Sequence, residues 1–279
     1  MLSKSISIRV KGPFACFTQP VFHVERTTFP VVTPSAARGI LEAILMKPIE
    51  KPDSWKRHNK VGFRWVIERI GVCRKVRFLS ILRNEIQSPT GRGHLDGLAS
   101  SEVGYDISKA EKDAGHRTQR HSLILRDVEY LLVARIEVPE FAGVNISSIL
   151  CKYFEMFCRR AKAGQCYYQP FFGCREFSVE VWEWVDHVPE KIPGAKEKEH
   201  FGRLFHDFDY APVWKAWESE GVDVLSPRPP QEKWPEFGKS NAVHPTTFPG
   251  FEAVATYGWI QVPHPPRLPT YERSHYIPA

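Results

Sequence analysis

The amino-acid sequence predicts an α+β fold, and three observations support this prediction. Apolar and polar residues alternate around Ile6, Ile8 and Val10, which is the two-residue period of a half-buried strand. Residues 34–46 carry the spacing and end signals of a helix. Further segments of both kinds follow in the first 184 residues, so strands and helices share one stretch of chain.

We expect the first strand, "SISIRVKG", to end at Gly12-Pro13. A helix then begins at Pro34, because Thr33 offers a side-chain acceptor and proline suits the first helical position. This helix runs to about residue 46, with Arg38 and Glu42 on its wetter side. Four residues form its apolar stripe: Ile40, Leu41, Ile44 and Leu45.

Residues 64–86 contain two β-rich runs, around 65–73 and 75–82, with Gly71 and the basic pair Arg74-Lys75 near their junction. From 87 to 120 the chain is polar and glycine-rich, which predicts a mobile excursion. A functional loop and a disordered insertion are both open interpretations of that segment.

Residues 125–138 predict another strand, and residues 145–164 predict an amphipathic helix capped by Asn145 and stopped at Gly164. The element order is therefore β-α-β-β-β-α. This order is close to the ferredoxin-like or RNA-recognition-like pattern, in which two helices back a sheet that exposes its other face.

The chain beyond this domain predicts a smaller β-rich part. "FSVEVWEW" (177–184) alternates like a strand, and frequent prolines after about residue 186 predict loops, edges and extended segments instead of helices. We therefore expect an N-terminal domain over 1–176 and a proline-rich C-terminal part over 177–279, with an apparent insertion over 186–250.

The composition permits an anionic partner. Lysine and arginine exceed aspartate and glutamate by six, and the pI is about 9.0. No long apolar run and no signal-peptide pattern occur, so the expectation is a cytoplasmic protein with no membrane span. The six cysteines form no C-x-x-C pair, which favours reduced thiols and no metal site or cofactor.

The segment "RRAKAGQCYYQPFFGCREF" (159–177) combines four basic side chains with tyrosines and phenylalanines. Nucleic acids present both negative charge and flat faces, so this mixture suits them.

Three stretches together resemble a known family: residues 15–48, residues 121–134 and this segment, 159–177. In them, "TPSAARGILEAI", "KAGQ" and "GCREF" are the most specific motifs. They resemble the type I-C CRISPR Cascade subunit of Cas family five, subtype d. The match covers most of residues 4–184, and beyond it only "YGWIQVPHP" (257–265) is similar.

The resemblance implies a function. Members of this family have an RNA-recognition-like domain, cleave the repeat hairpin of precursor CRISPR RNA without a metal, and remain on the 5′ handle as a cap. Implied partners are CRISPR RNA, the Cas seven backbone subunit and the large Cas eight subunit, with target DNA reached only through the complex.

The resemblance also implies catalytic positions. The family has a tyrosine or histidine where this chain has Leu45, and a lysine-histidine pair where it has Lys152 and Tyr153. Leucine cannot transfer a proton. A tyrosine with a pKa near 10 is a weaker base than histidine at pH 7, by roughly 4 kcal/mol. Tyr153 can still serve as an acid or a hydrogen-bond donor, while Lys152 either stabilises phosphate charge or simply faces solvent.

Three histidines are further candidates for the catalytic site. His121 and His116 lie at the start of the returning strand and in the loop before it, and His58 lies in an apparent insertion after the first helix. A structural or RNA-contacting role is open for His121, and a solvated basic loop for His58.

Eight basic residues are candidate RNA contacts. For Arg159, Arg160 and Lys162, the alternative role is to stabilise the C-terminus of their helix. For Phe171, Phe172 and Phe177, the alternative to base stacking is packing in the core. The eight residues are Arg38, Arg74, Lys75, Arg77, Arg159, Arg160, Lys162 and Arg175. Three functional hypotheses follow: a metal-independent endoribonuclease that also caps the handle, a catalytically silent handle-binding subunit, and a general RNA-binding protein.

Overall fold

A computed structural model describes residues 1–22, 25–47, 62–86, 117–141, 145–209, 246–247, 249–265 and 270–271. Within these ranges the protein is a mixed α/β fold with two helices and a mostly antiparallel sheet. The helices are α1 (Pro34–Ile44) and α2 (Ile146–Lys162). The strands are β1 (Ile6–Ala15), β2 (Arg26–Thr27), β3 (Arg64–Val72), β4 (Phe78–Ile86), β5 (Arg117–Glu137), β6 (Glu140–Phe141), β7 (Val181–Trp184), β8 (Lys198–Leu204), β9 (Phe208–Asp209), β10 (Thr246–Thr247), β11 (Phe251–Thr256), β12 (Trp259–Gln261) and β13 (Thr270–Tyr271).

The main sheet has nine strands among the described residues. Its path is β7-β1-β5-β3-β12-β11-β8, and all neighbours on this path are antiparallel. Strand β4 pairs antiparallel with β5, and β2 pairs parallel with β5. Strands from the predicted C-terminal part therefore extend the same sheet, and the boundary at 176 stays a prediction.

The core lies between the sheet and the two helices. Ile6, Ile8 and Val10 alternate along β1 and are almost fully buried, as the sequence period predicts. Both helix caps are confirmed, because the Thr33 side chain accepts from Ala36 N and the Asn145 side chain accepts from Ser148 N.

A smaller apolar cluster covers part of the opposite face of the sheet. Leu131 and Val133 of β5 pack there with Ile192 and with Trp259 of β12. No helix of the described ranges has the length and apolar composition to cross a membrane.

Strand β1 is longer than predicted and continues past Gly12-Pro13 to Ala15. Pro13 lies between the paired residues Gly12 and Phe14, opposite Asp127, whose φ is 54°. The strand tolerates proline because the ladder is locally irregular at that point.

The prediction of a mobile excursion over 87–120 is wrong for its last four residues. Residues 117–120 belong to β5, where Thr118 pairs with Glu85 and Arg120 with Arg83. Strand β4 provides hydrogen-bond partners for the backbone of residues 117–120, whatever the polarity of their side chains. The rest of the excursion, 87–116, lies outside the described residues, as does most of the apparent insertion, 210–245.

Three other elements also have boundaries that differ from prediction. Helix α1 ends at Ile44 instead of about 46, and β4 begins at Phe78 and extends to Ile86. Strand β7 begins only at Val181, because Phe177 O and Val179 N bond instead to Phe172 N and Pro170 O.

Phe157→Ala should lower the free energy of unfolding by about 3–5 kcal/mol, because the ring is fully buried and its removal leaves a cavity. Ser148→Ala, at an exposed position of the same helix, is the matched control and should stay within about 0.5 kcal/mol. Urea denaturation of both variants measures the difference. Equal effects would show that α2 does not pack as described.

Candidate nucleic-acid interface

The loop of residues 163–177, which follows α2, runs along helix α1. At one end, Tyr167 N donates to Ala43 O at 2.7 Å, and the Arg160 side chain donates to Ile44 O at 3.0 Å. These bonds satisfy carbonyl groups in the last turn of α1, which the helix itself leaves without partners. Toward the other end of α1, Phe171 and Gly173 line a cavity of about 510 Å³ with Ser35 and other residues.

The loop is fixed to the end of β1. Cys16 N donates to Phe172 O at 3.0 Å, and the Phe172 ring is fully buried with its edge toward Phe17. Gly173 has φ 83°, and a Cβ there would lie 2.0 Å from Cys16 O. Only glycine fits this contact, so the motif G-C-R-E-F begins with a residue that the packing requires.

Glu176 holds the other side of the loop. Its carboxylate accepts from Arg26 at 3.0 Å and also from Arg83 of β4. Burial alone would raise the pKa of this carboxyl, but the bond from Arg83 and the charges of both arginines outweigh burial and lower it. Arg175, between Gly173 and Glu176, remains exposed.

The exposed surface beside Arg175 is aromatic and basic. The Tyr167 side chain is 80% exposed and its ring lies 6.1 Å from that of Tyr168, which is 41% exposed. Arg159 is exposed and makes no ion pair with a described residue. Lys162 lies over the Trp184 ring at 5.2 Å. Exposed rings can stack bases, and exposed cations can bind phosphates.

Arg38 pairs with two carboxylates, and its role as an RNA contact stays a prediction. Its Nε and Nη2 donate to Asp207 at 2.7 and 3.0 Å, and its Nη1 donates to Glu42 at 2.6 Å. Burial alone would lower its pKa, but the bond and charge of Asp207 and the charge of Glu42 raise it. The guanidinium therefore joins α1 to the segment after β8 and is already paired.

A second basic region lies beside the turn between β3 and β4. Arg74, Lys75 and Arg77 line a cavity of about 400 Å³ together with Lys11 of β1, which the sequence did not single out. Arg74 pairs with Glu129 at 3.0 Å, and Arg77 pairs with Asp127 at 3.2 Å. Lys75 is exposed and unpaired among the described residues.

Two of the predicted catalytic positions, Leu45 and Tyr153, adjoin one aromatic cluster. Phe63, Trp65, Tyr153 and Phe157 form it, with ring centroids 4.7–5.5 Å apart between neighbours. Trp65 Nε1 donates to Leu45 O at 3.0 Å, so position 45 adjoins the same cluster. Leu45 is fully buried.

Lys152 and Tyr153 are neighbours on α2 but differ in exposure. Lys152 is exposed and has no ion pair with a described residue. The Tyr153 ring is 4% exposed, and burial raises the pKa of its phenol. Tyr153 is therefore an even weaker base than its sequence suggests.

His121 lies far from Lys152 and Tyr153, because they are near opposite ends of strand β5. It pairs with Leu82 in the β4–β5 hairpin, whereas Tyr153 packs on Phe63, next to the pair Arg64–Glu137 at the other end of β5. His121 and Glu137 are 16 positions apart in β5, which is about 50 Å if the strand were straight. The structure does not bring His121 to the other two residues. His116 and His58 lie outside the described residues.

Sequence reasoning missed the ion pairs by which Glu176 holds the loop to Arg26 and Arg83. No local signal could have revealed them, because the partners of Glu176 are 150 and 93 positions away. Within the described part of the chain, no group of three or more histidine, cysteine, aspartate or glutamate residues could hold a metal ion. That no metal is used stays a prediction.

These features define a class: a mixed α/β protein whose antiparallel sheet carries two helices and a basic, aromatic loop. The family model Cas5d, described as "CRISPR-associated protein (Cas_Cas5)", matches residues 5–263. The chain therefore belongs to the Cas5d family of CRISPR-associated proteins.

Two relatives are named "CRISPR pre-crRNA endoribonuclease Cas5d". The protein from Mannheimia succiniciproducens is 34% identical over 75% of this chain and 87% of its own length. The protein from Thermus thermophilus is 38% identical over 66% of each chain. Two solved structures share the fold. One is described as a CRISPR-associated protein (TM-score 0.54, 17% identity, 94% of this chain and 93% of that one). The other is a functionally uncharacterized protein from Streptococcus mutans (TM-score 0.53, 16% identity, 94% of each chain).

Glu176→Gln should reduce stability near neutral pH and have little effect in acid. The folded-state pKa of Glu176 is lowered, so its contribution is present above the unfolded value near 4.5 and is lost as pH falls below it. We expect a loss of up to about 1 kcal/mol at pH 7, because the pair is partly exposed. Glu183→Gln, on exposed β7, is the control, and denaturation at pH 7 and pH 3 is the measurement. A loss of equal size at both pH values would contradict the ion pairing.

Proposed function

We propose that this chain binds the repeat-derived 5′ handle of CRISPR RNA in a type I-C Cascade complex and cleaves precursor CRISPR RNA without a metal. The observation that carries this proposal is the family match over residues 5–263, together with two relatives named as pre-crRNA endoribonucleases. The other partners are the Cas seven backbone and Cas eight large subunits, with target DNA reached through the complex. The site of action is the cytoplasm.

The strand order supports a ferredoxin-like arrangement for the N-terminal part. Helix α1 connects β1 to β3, and α2 connects β5 to β7, which is the β-α-β-β-α-β pattern. These four strands lie in the order β7-β1-β5-β3, with every neighbouring pair antiparallel.

The RNA lies along the loop of residues 163–177, which follows α2. Arg175 binds backbone phosphate, because Glu176 and Gly173 on either side are fixed by the fold and leave its guanidinium exposed. Tyr167 and Tyr168 stack unpaired bases, and Arg159 adds charge. The cavity lined by Lys11, Lys75 and their neighbours is a second phosphate-binding region.

Cleavage takes place at the other end of α1. The 2′-hydroxyl next to the scissile phosphate gives its proton to solvent water and attacks phosphorus. The bond from the 2′-oxygen to phosphorus forms, the bond from phosphorus to the 5′-oxygen breaks, and the 5′-oxygen takes up a proton from solvent water. Lys152 places its ammonium group beside the phosphate and stabilises the charge that develops there. Tyr153 keeps its proton, because burial raises its pKa, so its role is hydrogen bonding and not proton abstraction.

A catalytically silent handle-binding subunit is the second candidate. Two observations favour it: Leu45 is fully buried and apolar where the family has a proton-transferring residue, and the Tyr153 ring is only 4% exposed. Under this alternative another nuclease cuts the repeat, and this chain only holds the product.

Lys152→Ala should slow cleavage of the chain's own repeat RNA about 100-fold or more, because the developing phosphate charge loses its cation. Affinity for the same RNA should change little, and Lys152→Arg should restore part of the rate. Lys198→Ala, which removes an exposed lysine from β8, is the matched control. Unchanged cleavage in Lys152→Ala would show that the active site lies elsewhere. If the unmodified chain binds without cutting, the silent alternative holds.

Arg175→Ala should weaken handle binding and make the slope of log affinity against log salt shallower by about one, because one phosphate contact is lost. Titrations of labelled handle RNA at several salt concentrations measure this slope. Lys198→Ala should leave the slope unchanged. An equal effect of both substitutions would mean that Arg175 contributes only to net charge.

A further inference from the structure

Two cysteines from distant parts of the sequence meet where the loop of residues 163–177 contacts β1. Cys16 Sγ and Cys174 Sγ each lie 3.8 Å from the Thr18 hydroxyl, and Cys174 Sγ lies 3.6 Å from Cys16 O. The two chain segments are in direct backbone contact, through the bond from Cys16 N to Phe172 O and the close approach of Gly173. Both thiols are free in the structure.

We propose that Cys16 and Cys174 form a peroxide-sensitive dithiol that closes into an intramolecular disulfide. This modification site does not depend on the RNA-binding role. A disulfide needs two cysteines whose backbones are already close, and here the fold supplies that proximity across 158 positions. The bond would join the end of β1 to the loop that carries Arg175.

The two sulfurs have different roles in this reaction. Cys174 is only partly buried, whereas Cys16 is 1% exposed. The hydrogen bond from Cys16, together with Thr18 and the charge of Arg26, lowers the pKa of Cys174 to about 6 despite burial and the nearby Glu176. Cys174 is therefore largely a thiolate at pH 7, and the thiolate is the form that reacts with peroxide.

The disulfide forms in two balanced steps. The Cys174 thiolate attacks one oxygen of hydrogen peroxide, so that an S–O bond forms, the O–O bond breaks and hydroxide leaves. The Cys16 sulfur then loses its proton and attacks the Cys174 sulfur. The S–S bond forms, the S–O bond breaks and water leaves. Two thiols are oxidised by two electrons, and one peroxide is reduced to two waters.

Solvent exposure alone does not make Cys174 the most reactive thiol. Cys151 is fully exposed, but its hydrogen bond to Glu155 raises the pKa of its thiol. Burial raises the pKa of Cys158 and raises that of Cys73 to about 11. At neutral pH these three thiols are therefore mostly protonated and slow to react.

The test is mild treatment of the full-length chain with hydrogen peroxide, followed by trypsin digestion without reductant and mass spectrometry. The expected product is a linked pair of peptides, 12–26 and 163–175, lighter than the sum by two hydrogens. Fragmentation must assign the link to Cys174 and not to Cys166, which lies in the same peptide. Cys174→Ser should abolish the link, whereas Cys166→Ser should leave it.

A second measurement does not need a disulfide to form. The alkylation rate of Cys174 by iodoacetamide should fall as pH drops through about 6, while Cys151 should react appreciably only at alkaline pH. Linkage through Cys166, or separate oxidation of Cys16 and Cys174 without a link, would overturn the proposal. So would equal alkylation of Cys174 and Cys151 at pH 7.

Discussion

The contact between Gly173 and Cys16 is the constraint on which the candidate interface depends. A side chain at position 173 would overlap the Cys16 carbonyl, and the buried Phe172 ring anchors the chain immediately before it. Once these two residues are fixed, the direction of the next three is set. Cys174 points toward Thr18, Arg175 points to solvent, and Glu176 reaches the arginines of β2 and β4.

Helix α1 separates the binding and catalytic parts of the proposed site. Gly173 lines a cavity with Ser35 in the first turn of α1, whereas Leu45 follows the last turn, and the helix is about 16 Å long at about 1.5 Å per residue. Tyr167 and Tyr168 lie at the last turn of α1, with their backbone N–H groups bonded to Ala43 O.

Local signals in the sequence were enough to predict both helices of the described residues and five of the strands, which are β1, β3, β4, β5 and β7. Thr33, Asn145 and Gly164 act within a few residues of the helix ends that they define, so their roles can be predicted without tertiary structure. The pairing of Arg38 with Asp207 could not be predicted in this way, because the two residues are 169 positions apart. The same reason explains why residues 117–120 were assigned to a loop: their partner strand, and not their own composition, makes them a strand. Lys152 and Tyr153 were singled out only through resemblance to a family, and burial of Tyr153 became visible only in the fold.

The central claim, metal-independent cleavage by 2′-hydroxyl attack, is tested most directly with two versions of the chain's own repeat RNA in EDTA. One version carries a 2′-hydroxyl at the cut position and the other a 2′-deoxy substitution. The account predicts that only the first RNA is cut and that both are bound with similar affinity, since binding depends on phosphate and base contacts. Cleavage of the deoxy RNA, or cleavage of the first RNA that requires added divalent metal, would contradict it.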